Sequence, residues 1–167
     1  MKKIIIITLM LALSAGLVQA QTTNNAVTEH DPSVKARDAS VKTDIIDPAE
    51  QAINGDAPDW AALTQTITKK YDATTADRTI TKAKIYFYFN KDWSVFCQGI
   101  INYTNKYELA NDYKLLDFNA NYILKYSDDK KELETALAWS KHTLDKDPQN
   151  DAYKKTFAAL NDKLATK

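Results

Sequence analysis

Chemistry at a protein surface needs nucleophiles, ligands or acid–base pairs, and this chain holds one cysteine and two histidines. Cys97 lies in "NKDWSVFCQGIINYTNKY", residues 90–107. A reactive thiolate wants a cationic neighbour or a helix N-terminus to lower its pKa. Cys97 instead follows Phe96 and precedes Ile100 by three residues, five residues into a predicted helix. Free cysteine is among the most buried residue types, so the expectation is a structural thiol inside the helix. An intermolecular disulfide is the competing reading.

His30 and His142 are more than a hundred residues apart, and no His-x-x-x-His or carboxylate cluster has metal-ligand spacing. "DPSVKARD" and "SDDKKE" carry acids without the glycine and regular oxygen spacing of a calcium loop. With three glycines in all, neither a Gly-x-Ser-x-Gly elbow nor a phosphate-cradling loop is present. Distant acids can still converge into a glycosidase-type pair, but no residue pattern points to one. The sequence predicts a non-enzymatic protein with no cofactor and no metal.

The aromatic residues are a second kind of functional candidate. Nine tyrosines and three tryptophans are more than a thin helical array can fully bury. Tyr86, Tyr88, Tyr113, Tyr122 and Tyr126, with Tyr103, include positions off the main apolar stripes. Tyrosine offers large contact area with a polar tip and is favoured at interfaces. These side chains either wrap seams between helices or line a groove for a protein or peptide partner.

The elements that must position them begin after an address. Lys2 and Lys3 precede an apolar run from Ile4 to Ala15, and Val18 and Ala20 put small residues before a cut at Ala20–Gln21. That is the layout of a secretory signal peptide, too short for a membrane span of roughly 20 apolar residues. The expectation is export to the periplasm or beyond, with no stable membrane anchor after cleavage. Removing residues 1–20 takes two lysines from 22 basic residues and leaves 22 acids, a net charge of −2. No basic face suggests nucleic acid. A single cysteine permits no internal disulfide, so stability must come from apolar burial.

Residues 21–46 show no periodicity and read as a flexible linker. In "DPAEQAING", Asp47 can cap, Pro48 suits the first helical position, Glu50 completes a capping box and Gly55 can terminate a short helix. From Pro58 onward the period is helical. Trp60, Leu63, Ile67 and Tyr71 share one face. Thr74 or Thr75 opens a second helix with Ile80, Ala83 and Phe87 inward, although residues 84–90 also suit a strand. Asp92 opens a third, with Trp93, Phe96, Cys97, Ile100, Tyr103 and Tyr107 on its stripe. A fourth runs from Asp112 to Tyr126 with Leu115, Leu116, Asn119, Ala120, Ile123 and Leu124 inward. Asp128 or Asp129 opens a fifth, carrying Leu133, Ala136, Leu137, Ser140 and Leu144. A sixth, from Asn150 to Leu164, carries Tyr153, Phe157, Leu160 and Leu164.

"PDWAALTQTITKKY" and "KDWSVFCQGIINYTNKY" echo each other at an offset of 33 residues, from Trp60 to Trp93. Periods of this size mean stacked helical hairpins, none able to bury its apolar face alone. The prediction is an all-α domain over residues 47–167, about three helix pairs.

"ELETALAWSKHTLDKDPQNDAYKKTFAALNDKL" resembles the last hairpin of a degenerate tetratricopeptide-type region, with Ala136 and Pro148 at its spacing and Ser140 where a large aromatic is usual. Residues 92–164 are similar to the helical tail that follows the thioredoxin domain in exported bacterial thioredoxin-family proteins. The match rests on Asp92, Trp93, Phe96, Tyr103, Tyr107, Asn119, Ala136, Leu137, Trp139, Lys141, Asp147 and Pro148. That family's activity resides in a Cys-x-x-Cys pair, which this chain lacks. The resemblance implies helical architecture and export, and it carries over no active site. It also leaves a second functional reading, an accessory in envelope thiol–disulfide chemistry working beside a separate Cys-x-x-Cys protein.

Overall fold

The computed structural model describes residues 31–53, 55–108 and 110–167. The proposed signal peptide, its Ala20–Gln21 cut, the first ten residues of the expected linker and His30 lie outside them. The described residues are helical, without strands. Their elements are α1 (Pro32–Val41), a π-helical turn (Lys42–Ile46), α2 (Asp47–Ala52), α3 (Trp60–Lys70), α4 (Ala73–Tyr88), α5 (Trp93–Tyr107), α6 (Tyr113–Tyr126), α7 (Lys130–Lys146) and α8 (Asp151–Ala165).

Helices α3 to α8 form three hairpins joined by short loops, and each starts at an Asp or Asn whose side chain accepts a first-turn N–H. The caps are Asp59, Asp72, Asp92, Asp112, Asp129 and Asn150. Such caps satisfy donors with no intrahelical partner. The Asp-Trp echo thus marks two hairpin starts, at Asp59 and Asp92. For α4 the cap is Asp72 rather than Thr74 or Thr75. The Asp72 carboxylate takes the Thr75 N–H at 2.6 Å and the Thr75 hydroxyl at 3.0 Å. Residues 84–88 continue α4 as helix, and the chain turns at Asn90, whose φ of 63° is a left-handed conformation that asparagine tolerates.

Two apolar cores form. One gathers Phe96, Cys97, Ile100, Ala120, Ile123, Leu133, Ala136 and Leu160 from α5 to α8. The other gathers Val41, Ile46, Ile67, Ala76 and Ile80, with Trp60, Leu63, Tyr71 and Ala83 against it. Gly99 sets the α4–α5 approach, because a Cβ there would stand 2.8 Å from Ile85 Cγ1. Lys163 of α8 donates to the Leu124 and Ser127 carbonyls at 2.9 and 2.7 Å, closing the end of α6.

The N-terminal flank departs from the linker expectation. Residues 32–46 are helix, and Val34, Val41 and Ile46 are buried. Two ion pairs dock α1 on α4. Arg78, 1 % exposed, donates to both Asp38 carboxylate oxygens at 2.7 and 2.6 Å, and Arg37 reaches Asp72 at 3.0 Å. Val34, Val41 and Ile46 are the apolar side chains buried in this stretch, and the ion-pair partners lie 35 to 40 residues along the chain. That is why a hydrophobic pattern alone missed it. Asp47 likewise does not open a separate helix. It is already helical, its side chain makes no cap bond, and its N–H reaches back five residues to the Lys42 carbonyl. The wide turn precedes Pro48, which has no N–H for Asp44, so the helix is irregular there in any case. Gly55, at φ +100°, supports the reversal after α2.

Candidate binding groove

Helices α5 and α6 touch over a shorter stretch than α5 with α4 or α6 with α7. A groove of about 580 Å³ opens between α4, α5 and α6. Ile85, Tyr86 and Phe89 form one wall, Phe96, Ile100, Tyr103 and Thr104 the floor, and Leu115, Phe118, Asn119 and Tyr122 the other wall. Lys35 of α1, Lys82 and Glu108 supply its charged groups. A second cleft of about 470 Å³, between α4 and the α1–α2 arm, shares Lys35, Lys82 and Tyr86 with it.

The walls exist because α4 and α6 each carry two apolar stripes. On α4, Ile80, Ala83 and Phe87 face inward while Lys82, Ile85, Tyr86 and Phe89 face the groove. On α6, Leu116, Ala120 and Ile123 are buried while Leu115, Phe118 and Tyr122 lie on the neighbouring stripe. Leu115 and Asn119, expected in the core, are half-buried groove residues. Asn119 Nδ2 donates to Thr104 Oγ1 at 2.9 Å and ties α6 to α5 beneath the opening.

Tyr86, Phe89 and Phe118 are 69 %, 38 % and 55 % exposed, the large hydrophobic side chains that stand out in solvent among the described residues, and all three border this groove. Its aromatic end is held by edge-on and tilted ring contacts. Phe118 meets Tyr122 at 4.7 Å between ring centroids, Tyr122 meets Phe96 at 5.5 Å, and Phe96 meets Phe89 at 5.3 Å. Behind it Trp93, half-buried, stacks on Tyr126 at 3.9 Å and 7°. At the polar end Lys82 Nζ lies 5.5 Å from the Tyr103 ring centroid.

Of the tyrosines singled out in the sequence, the groove therefore collects Tyr86, Tyr122 and Tyr103. Tyr126 supports it from behind. Tyr88 accepts the Trp60 indole N–H at 3.4 Å and packs on Phe87. Tyr113 sits elsewhere, its ring 5.3 Å from that of His142, whose Nε2 is 3.0 Å from the Ala110 carbonyl oxygen. Phe89 and Phe118 were missed. The legible signal for Phe118 was the second stripe, Leu115–Phe118–Tyr122, at i, i+3, i+7.

The titratable groups with unusual surroundings lie away from the opening. Cys97 is fully buried, and burial pushes its thiol up to about 12, with the Glu132 carboxylate adding to the effect. Burial raises Tyr107, as does its hydrogen bond to Asp77. Burial alone would raise Asp77, but hydrogen bonds from Tyr107 and Lys106 outweigh it and hold the carboxyl below its ordinary value. The groove lining is mostly apolar and aromatic, with Thr104, Asn119, Lys35, Lys82 and Glu108 as its polar side chains. Among the described residues, no three His, Cys, Asp or Glu side chains gather as a metal site, and no helix is long and apolar enough to cross a membrane. No family model matches the chain, and neither a curated protein nor a solved structure proves significantly similar to it.

Proposed function

We propose that this chain is an exported, non-enzymatic helical-repeat protein that binds a protein or peptide segment in the α4–α5–α6 groove. The observation that carries the reading is the convergence of Tyr86, Phe89 and Phe118 on one concavity. Isolated exposed hydrophobics need no explanation, but a contiguous patch rimmed by polar residues marks an interaction site. The volume and apolar lining are also in the range of ligand sites. Export rests on the N-terminal layout of Lys2 to Ala20, and kinship with thioredoxin-family tails rests on the sequence likeness over residues 92–164. The burial of Cys97 weighs against that thiol acting in disulfide exchange.

The test pairs the protein with its Phe118→Glu variant. Phe118 is mostly solvated, so the change should leave stability within about 0.5 kcal/mol. Binding partners cross-linked in the envelope fraction should be recovered with the parent protein and lost with the variant. Recovery of the same partners by both would move the interaction off the groove, and recovery of the protein in the cytoplasmic fraction alone would refute export.

A further inference from the structure

We infer that α1 is a hinged strap: it lifts from α4 as a unit about the π-helical turn at Lys42–Ile46, opens the second cleft and bares the Arg78 guanidinium, while α5 to α8 stay folded. This motion is independent of what the groove binds. The hinge is built into the helix. In the wide turn the Asp47 N–H reaches the Lys42 carbonyl, and Pro48 follows with no N–H to give. Helices bend at prolines and π-bulges because the regular ladder is interrupted there. On the far side of the turn's pivot Ile46 sits in the core with Ile67, Ala76 and Ile80. That gives the motion a fixed end.

Little holds α1 beyond the hinge. It rests mainly on α4, and its buried side chains are Val34 and Val41. Its backbone bonds close within it: the Asp31 carboxylate takes the Ser33 N–H at 2.8 Å, and the Lys42 N–H reaches the Ala39 and Asp38 carbonyls. Lifting therefore breaks side-chain bonds, Asp38 with Arg78 and Arg37 with Asp72 and Thr75, and no shared backbone ladder. A buried ion pair returns little net stability when both partners can go back to water. The α5–α8 core includes no residue of α1, so it does not depend on the strap. Openings of part of a fold start in such lightly packed units. The consequence lies at the surface. Lys35, Asp38 and Ala39 of α1 line the second cleft opposite Thr79, Lys82 and Tyr86, and Lys35 also borders the groove. Lifting withdraws all three together and leaves on α4 a cation, Arg78, that the Asp38 carboxylate otherwise covers.

The full chain carrying Val34→Cys tests this, because Cys97 in the other core serves as the internal reference. Val34 is buried while α1 is docked, and cysteine behaves there as a small hydrophobe. Thiol labelling with peptide mass mapping gives each rate relative to the same thiol in the urea-unfolded chain. The thiol at position 34 should label at least tenfold faster than Cys97. Adding Asp38→Ala should bring it within tenfold of its unfolded rate while Cys97 stays at least a hundredfold below its own. In the unsubstituted chain, hydrogen exchange should run faster in α1 than in α5 to α8 and respond less to low urea, since lifting α1 exposes little surface. Equal protection of the two thiols, or one urea dependence shared by α1 and α5 to α8, would make α1 part of a single cooperative unit and overturn the strap. Unfolded-rate labelling at position 34 without Asp38→Ala, alongside unprotected α1 amides in the unsubstituted chain, would overturn it equally, because α1 would then never dock.

Discussion

Removing the Asp38 carboxylate probes how α1 is held. Arg78 is 1 % exposed and Asp38 17 % exposed at the side chain, and the guanidinium makes both short hydrogen bonds to that one carboxylate. Asp38→Ala leaves a buried cation without its anion, a loss of about 3–5 kcal/mol for a buried pair. Arg78 has an escape, because α1 can lift and admit water at the cost of exposing Val34 and Val41, so the lower end, about 3 kcal/mol, is expected. Urea unfolding gives the magnitude. Hydrogen exchange gives the route, since amides of residues 34–46 should lose protection well before those of α5 to α8. The double variant Asp38→Leu/Arg78→Met should recover most of the loss, because an apolar pair of similar volume replaces a desolvated ion pair at little net cost. A loss below 1 kcal/mol, or a double variant no better than Asp38→Ala, would refute the argument that this pair docks the arm.

Three other outcomes follow from particular contacts. Trp93→Ala should cost about 3 kcal/mol in chemical denaturation, near the lower end for large aromatics because Trp93 is only half-buried; a change under half a kilocalorie would contradict the stack on Tyr126. Cys97 should react with a thiol reagent at least a thousandfold more slowly in native than in unfolded protein, with the ratio set by opening of the core; prompt native labelling would place the sulfur at the surface. The Asp72 carboxyl is held below its ordinary value of 3.8 by the Thr75 N–H and hydroxyl and by Arg37. Its stabilisation is therefore complete above about pH 4 and is lost as pH falls through the lower folded value. Asp72→Asn should show a smaller loss of stability between neutral pH and about pH 3, measured by urea midpoints, and an unchanged acid limb would remove Asp72 from that role.

From Trp60 onward most of the local structure was legible in the sequence as apolar stripes and caps, whereas the Asp72 cap of α4 and the helical state of residues 84–88 were decided by the fold. Asp92, Asp112 and Asn150 are caps readable three residues from the N–H they bind, and stripes such as Phe96, Ile100 and Tyr103 repeat within a single turn of the eye along the chain. What only the tertiary structure decided depends on partners far apart in sequence. Asp38 and Arg78 are 40 residues apart, so a stretch that looked too polar to fold becomes an ordered arm once a buried guanidinium faces it. The groove is likewise a property of three helices at once. Phe118 lies on a legible second stripe with Leu115 and Tyr122, but the stripe does not say what it faces. Phe118 and Tyr86 border an opening because α5 and α6 diverge while α4 lies tight against Gly99, and spacing along one chain segment carries no information about the distance between two.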